Sequence, residues 1–187
     1  MVVDDKALVR EMKEAFKGWG YTVMLTSNDR WVIGSRDNWT VAIDGQNNVP
    51  NEVLALIVLH MGELPKQQQC YRIYKAEKSI CIQKEVYRVA FEDFENMEDS
   101  RPLNDKVVRK TALVYGRCRV WQQIEDKKVL LINPRFEDLM EIGADSVVCT
   151  VGQQIHLKGE ISCVYISRVR GGANEELLEH LAKVSWT

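Results

Sequence analysis

The chain has 187 residues, 45% of them hydrophobic, enough to bury a substantial core in one sizeable domain or two small ones and to argue against disorder. Its 25 Lys and Arg stand against 27 Asp and Glu, a formal net charge of −2, so the chain lacks the global positive charge of a protein that holds nucleic acid chiefly by electrostatics; a local basic patch is compatible with it. Five cysteines (Cys70, Cys81, Cys118, Cys149 and Cys163) are odd in number, never at CxxC spacing, and set mostly in apolar runs such as "SVVCTV" and "ISCVYI". That is the pattern of buried free thiols in a reducing compartment, with no local zinc signature near the isolated His60, His156 and His180.

In chain order, "MVVDD" places two acids directly after a short apolar start, which fits neither a signal nor a transit peptide. From Asp5 to Lys17 the apolar residues Leu8, Met12, Ala15, Phe16 and Trp19 recur at three- and four-residue steps, predicting an amphipathic helix with Asp4 or Asp5 as N-cap and Gly18 and Gly20 as stop. "YTVMLTS", "RWVIGS" and "WTVAID" read as an antiparallel meander in which Trp31 and Trp39, like Trp121 further on, are core residues before they are stacking platforms. "VPNEVLALIVLHMGELP" predicts a helix with Pro50 in its first turn, a stop at Gly62 and Pro65, and burial on several sides because its polar face is so small. Its longest apolar stretch is about half of the roughly 20 residues a membrane span needs, so the expectation is a cytoplasmic protein with no membrane partner.

"QQCYRIYK" and "SICIQKEV" make a hairpin, and "FEDFENMEDSRPLNDK" then breaks the composition with a run of acids. Beyond it come "RKTALVYGRCRVWQQI", a polar turn "EDKK", "VLLIN", a short helix from Pro134, the strands "SVVCTV", "QIHL" and "EISCVYISRV", and a closing helix from about Asn174 to Val184. The order strand, Pro, acid, apolar helix, Gly occurs in both halves, but aligning the two needs a five-residue gap and falls short of a repeat. The expected architecture is α+β: antiparallel strands with three to four helices packed on one face, with room for two similar-sized subdomains. Those would be residues 1–91 and 107–187, joined by an acidic connecting segment at 92–106.

Two stretches carry candidate site residues. In "SRVRGGANEE", Arg168 and Arg170 precede two glycines and a helix start, the setting of an anion-binding turn. The spacing matches neither the P-loop nor the dinucleotide fingerprint, and a strand-to-helix corner capped by Asn174 explains the same residues. The acidic run Glu92, Asp93, Phe94, Glu95, Glu98 and Asp99 offers aromatic anchors and carboxylates for docking on a basic surface, against the plainer reading of a solvated linker. His60 reads as a helix-end histidine bonded to the core, His156 as lying on an exposed strand face, and Glu125 to Lys128 as a turn, with Asp44 a strand-end acid.

No motif assigns catalytic residues, a cofactor or a metal. The function expected from these features is that of a small intracellular stoichiometric binding or inhibitor protein acting on a larger macromolecule, for example a mobile-element inhibitor of a host nuclease system. Its partner would be a protein with a basic surface or a nucleoprotein complex. The alternatives are a metal-dependent nuclease or hydrolase acting on nucleic acid or nucleotides, and a nucleic-acid-binding module using the basic stretch Lys106 to Arg119.

Overall fold

The structure, a computed structural model, describes residues 1–35, 38–85, 106–151, 154–169, 180 and 183. The first helix, α1 (Asp5–Lys17), starts where Asp4 accepts a hydrogen bond from the Ala7 amide at 2.7 Å and stops where the Gly18 amide donates to the Ala15 carbonyl. A side-chain acceptor at that place satisfies one of the four amides that a helix start leaves without partners. Leu8 and Met12 on its apolar stripe are fully buried, but the stripe does not extend past the cap: Trp19 is 82% exposed.

The meander follows as β1 (Tyr21–Leu25), β2 (Arg30–Ser35) and β3 (Trp39–Asp44), paired antiparallel. Next come α2 (Asn51–Met61), closed by Gly62 at φ 86°, and the hairpin β4 (Gln69–Ala76) and β5 (Ser79–Glu85). A positive φ there is what only glycine adopts without cost. Helix α2 buries Val53, Leu56 and Ile57 and leaves Leu59 72% and Val58 41% exposed, so it packs on one side, not on several.

The second half gives β6 (Lys106–Tyr115), β7 (Cys118–Gln123), β8 (Val129–Ile132), a single-turn α3 (Pro134–Glu137), β9 (Val148–Val151), β10 (Gln154–Lys158) and β11 (Ser162–Ser167). "RKTALVYGRCRVWQQI" is thus two strands, turning at Gly116 (φ 59°). The closing helix expected from Asn174 to Val184 lies outside the described residues except for His180 and Lys183, both helical.

All these strands form one eleven-stranded antiparallel sheet in the order β5-β4-β1-β2-β3-β11-β10-β9-β6-β7-β8. This corrects the expected α+β arrangement of three to four helices packed on one face: the described helices hold only 13, 11 and 4 residues, and the sheet dominates. The physical reason is that strand patterns mark where strands are but not which distant strands pair. Here β3 and β11 pair along five residues, from Ile43 opposite Ser162 to Trp39 opposite Ile166. The connecting segment expected at 92–106 lies outside the described residues apart from Lys106, which opens β6.

Register explains the two buried faces. Val23, Ile33, Val41 and Val164 are successive cross-strand partners on the face that joins the main core, with Leu8, Met12, Val53 and Ile57 from the helices. Their neighbours Cys70, Met24, Val32, Ala42 and Cys163 form a second apolar row on the opposite face. Trp31, Trp39 and Trp121 are all buried, in agreement with the core reading of the tryptophans.

The chain start is fastened to the second half. The Asp4 amide donates to the Leu139 carbonyl at 3.1 Å and the Glu141 amide to the Val2 carbonyl at 3.0 Å, and these contacts bring α1 against α3. Glu11 of α1, only 2% exposed, takes hydrogen bonds from Arg10 Nε and Arg135 Nε at 2.9 Å, and its other oxygen is ion-paired with Arg135 Nη2 at 2.9 Å.

Candidate functional site: a cationic groove along the first helix

The helical period that buries Leu8 and Met12 puts Lys6, Arg10, Lys13 and Lys17 together on the opposite side of α1, at steps of four, three and four residues. They line an open groove of about 440 Å³ with Val9, Glu14, Phe16 and His60. Of the residues lining the groove four are cations and one, Glu14, is a carboxylate; Glu11 and Asp138 hold Arg10 from beside it, so the unbalanced charge is that of Lys6 and Lys13. Arg10 is held by Glu11, by Asp138 at 3.0 Å and by the Arg135 carbonyl at 3.3 Å, while Lys17 pairs with Glu14 at 2.6 Å. Among the described residues Lys6 and Lys13 have no ion pair, so their charges face solvent.

His60 closes one end of the groove. Its ring stacks on Phe16 with centroids 3.9 Å apart and planes 13° apart, and Nδ1 lies 3.0 Å from the Tyr21 hydroxyl. Burial pushes the imidazole pKa below its usual value and the Tyr21 hydroxyl pKa above its own. The imidazole tautomer sets which of the two, the Tyr21 hydroxyl or Nδ1, donates in this hydrogen bond. The expectation of a helix-end histidine bonded to the core agrees with this contact.

Just past the row stands Trp19 on a rigid turn. Arg72 donates from Nε and Nη2 to its carbonyl at 2.9 and 2.5 Å, and the Arg72 guanidinium also lies 5.2 Å from the centre of the Tyr74 ring. Gly20, at φ 91°, is pressed so close to β4 that a Cβ there would sit 2.5 Å from the Ile73 carbonyl oxygen and 2.7 Å from Tyr74 Cβ. The backbone beneath the indole is therefore fixed while the indole itself is in water.

The residues singled out from the sequence are placed elsewhere or not at all. Arg168 is exposed just beyond the end of β11, and Arg170 lies outside the described residues, as do Glu92, Asp93, Phe94, Glu95, Glu98 and Asp99. Two cations of the basic stretch from Lys106 to Arg119 are tied to acids of their own chain: Lys106 to Asp126 at 2.5 Å, and Lys110 to Glu137, which also accepts from Trp121 Nε1 at 2.8 Å. Asp126 belongs to the polar turn between β7 and β8, as expected, and also accepts from the Lys128 amide. Asp44 is engaged by Arg30 through both carboxylate oxygens at 2.5 and 3.1 Å. His156 is not on an exposed face: it is 8% exposed and stacks on Tyr165 with centroids 5.3 Å apart, because both faces of β10 are covered.

Among the described residues no three His, Cys, Asp or Glu side chains converge as a metal site requires. All five cysteines are free, with Cys70 and Cys163 buried, and burial beside Glu85 pushes the Cys70 thiol up to about 12. The apolar stripe of α1 does not mark the groove, which lies on the other side of the helix. The cations recur with the same period, half a turn away, and that is the signal that reveals them.

No family model matches the chain, and no curated protein does. Among solved structures, the Helicobacter pylori beta clamp bound to a DNA ligase peptide overlaps 93% of this chain and 67% of its own length at 9% identity and a TM-score of 0.39. A putative DNA polymerase III beta subunit from Eubacterium rectale overlaps 93% and 65% at 11% identity with a TM-score of 0.38. For the Bacillus subtilis DNA polymerase sliding clamp the values are 92%, 65%, 9% and 0.37. The chain thus spans about two thirds of the length of these proteins, and overlaps of this quality transfer neither ligand nor activity to it. No described helix is long and apolar enough to cross a membrane.

Proposed function

We propose that the protein is a stoichiometric binding protein that occupies an anionic surface on a larger macromolecular assembly, with the α1 groove as its contact. The observation that carries this reading is the row Lys6, Arg10, Lys13 and Lys17, in which Lys6 and Lys13 have no ion pair among the described residues. Lysines without ion pairs on a rigid helix offer charge to a partner at little cost in rearrangement, and their field steers the encounter. The acidic run Glu92 to Asp99 is a second contact in the same reading, suited to a basic protein surface such as a nucleoprotein presents.

The test is titration of the labelled protein with heparin, a polyanion without bases, at about 50 mM and about 200 mM salt. Binding that weakens steeply with salt, and more than about tenfold in the Lys6→Glu/Lys13→Glu double variant with an unchanged circular dichroism spectrum, is the expected result. Failure to bind at the lower salt, or equal binding by the double variant, would remove the groove from the function.

A further inference from the structure

We infer that the anionic partner is single-stranded nucleic acid, its phosphates lying along Lys6, Lys13 and Lys17 and a base stacked on the indole of Trp19. This rests on the groove reading above and adds to it the class of ligand. The row from Lys6 to Lys17 extends about 16 Å at 1.5 Å per residue, the length of a few nucleotides of strand. Trp19 comes two residues after its last cation and is 82% exposed, whereas Trp31, Trp39 and Trp121 are buried.

Arg72 and Gly20 fix the backbone that carries the indole, so only the two side-chain torsions of Trp19 remain to be ordered when a flat partner binds. Base stacking on aromatic side chains next to a cationic track is how sequence-tolerant single-strand binding works. A duplex keeps its base faces inside the stack and cannot use Trp19 in this way. An acidic polypeptide satisfies the lysines but has no run of flat rings to place on the indole.

The experiment compares four probes on the intact chain: an oligothymidylate of about twelve nucleotides, a blunt duplex of equal phosphate count, heparin and polyglutamate. The expected result is preference for the single strand, quenching of fluorescence that disappears in Trp19→Ala, and a loss of about tenfold in its affinity in that variant. Trp19→Phe retains most of the affinity because a stacking ring remains, and heparin binding is unchanged in both variants. Heparin binding with equal affinity for single strand, duplex and polyglutamate, and no effect of Trp19→Ala, would overturn the inference and leave the groove reading standing. If no polyanion binds at low salt, both fall together.

Discussion

Arg135→Ala tests the clasp between α1 and α3. Glu11 is 2% exposed and makes three contacts at 2.9 Å with guanidinium nitrogens, a hydrogen bond from Arg10 and, from Arg135, a hydrogen bond and an ion pair. Removing a partner from a fully buried ion pair costs about 3–5 kcal/mol, while an exposed pair contributes under about 1 kcal/mol. Here the carboxylate is buried but the guanidiniums are not, with Arg10 47% and Arg135 44% exposed, so an intermediate loss of about 2–3 kcal/mol follows. For a chain of this length that lowers the melting temperature by roughly 5–10 °C. Urea unfolding at neutral pH measures it, and because Glu11 is shielded from solvent the loss persists at about 0.5 M salt. Glu11→Leu added to Arg135→Ala restores part of the stability, since it removes the buried charge left with half its partners. A loss below about 0.5 kcal/mol, or one abolished by the added salt, would show that the Glu11 carboxylate is hydrated and the reasoning wrong.

Gly20→Ala destabilises by more than about 2 kcal/mol, because it combines a positive φ with a Cβ pressed into the Ile73 carbonyl; a variant of wild-type stability in urea contradicts the packing. Trp121→Phe removes the 2.8 Å hydrogen bond to Glu137 and costs about 1–3 kcal/mol by the same measurement, whereas a neutral result would mean that Lys110 satisfies Glu137 alone. His60 has its pKa depressed by burial, so the unfolded chain binds the proton more readily. Its contribution is complete above an unfolded pKa of about 6.5 and is lost as pH falls through the lower folded value. His60→Phe flattens the stability profile in that window, and identical profiles for variant and wild type between about pH 5 and 7 would exclude the histidine as the cause.

How much of this was legible depends on the range over which each signal acts. Helix α1 and the β1 to β3 meander follow their local patterns nearly to the residue, because caps and alternation are near-neighbour effects. Extending the stripe to Trp19 failed because Gly18 ends the helix first, and periodicity has no meaning past a cap. Leu59 shows the reverse error: apolar composition in α2 suggested burial all round, yet among the described residues only the side with Val53, Leu56 and Ile57 is buried. The union of β3 with β11 had no local trace, since partners so far apart in sequence are selected by the whole sheet. For the candidate site, the cations were visible in the sequence, but the groove needed His60 of α2 beside Phe16 of α1.

The pairing of β3 with β11 also sets a schedule for synthesis. A ribosome that has finished Trp39–Asp44 must add more than a hundred residues before Ser162–Ser167 emerges, a delay on the order of ten seconds. During that interval the nascent chain carries a complete meander whose outer strand, with Trp39, Val41 and Ile43, has an open hydrogen-bonding edge. The open edge of β3 is thus the surface on which mispairing starts during that interval, and codons that slow translation between β3 and β11 lengthen its exposure.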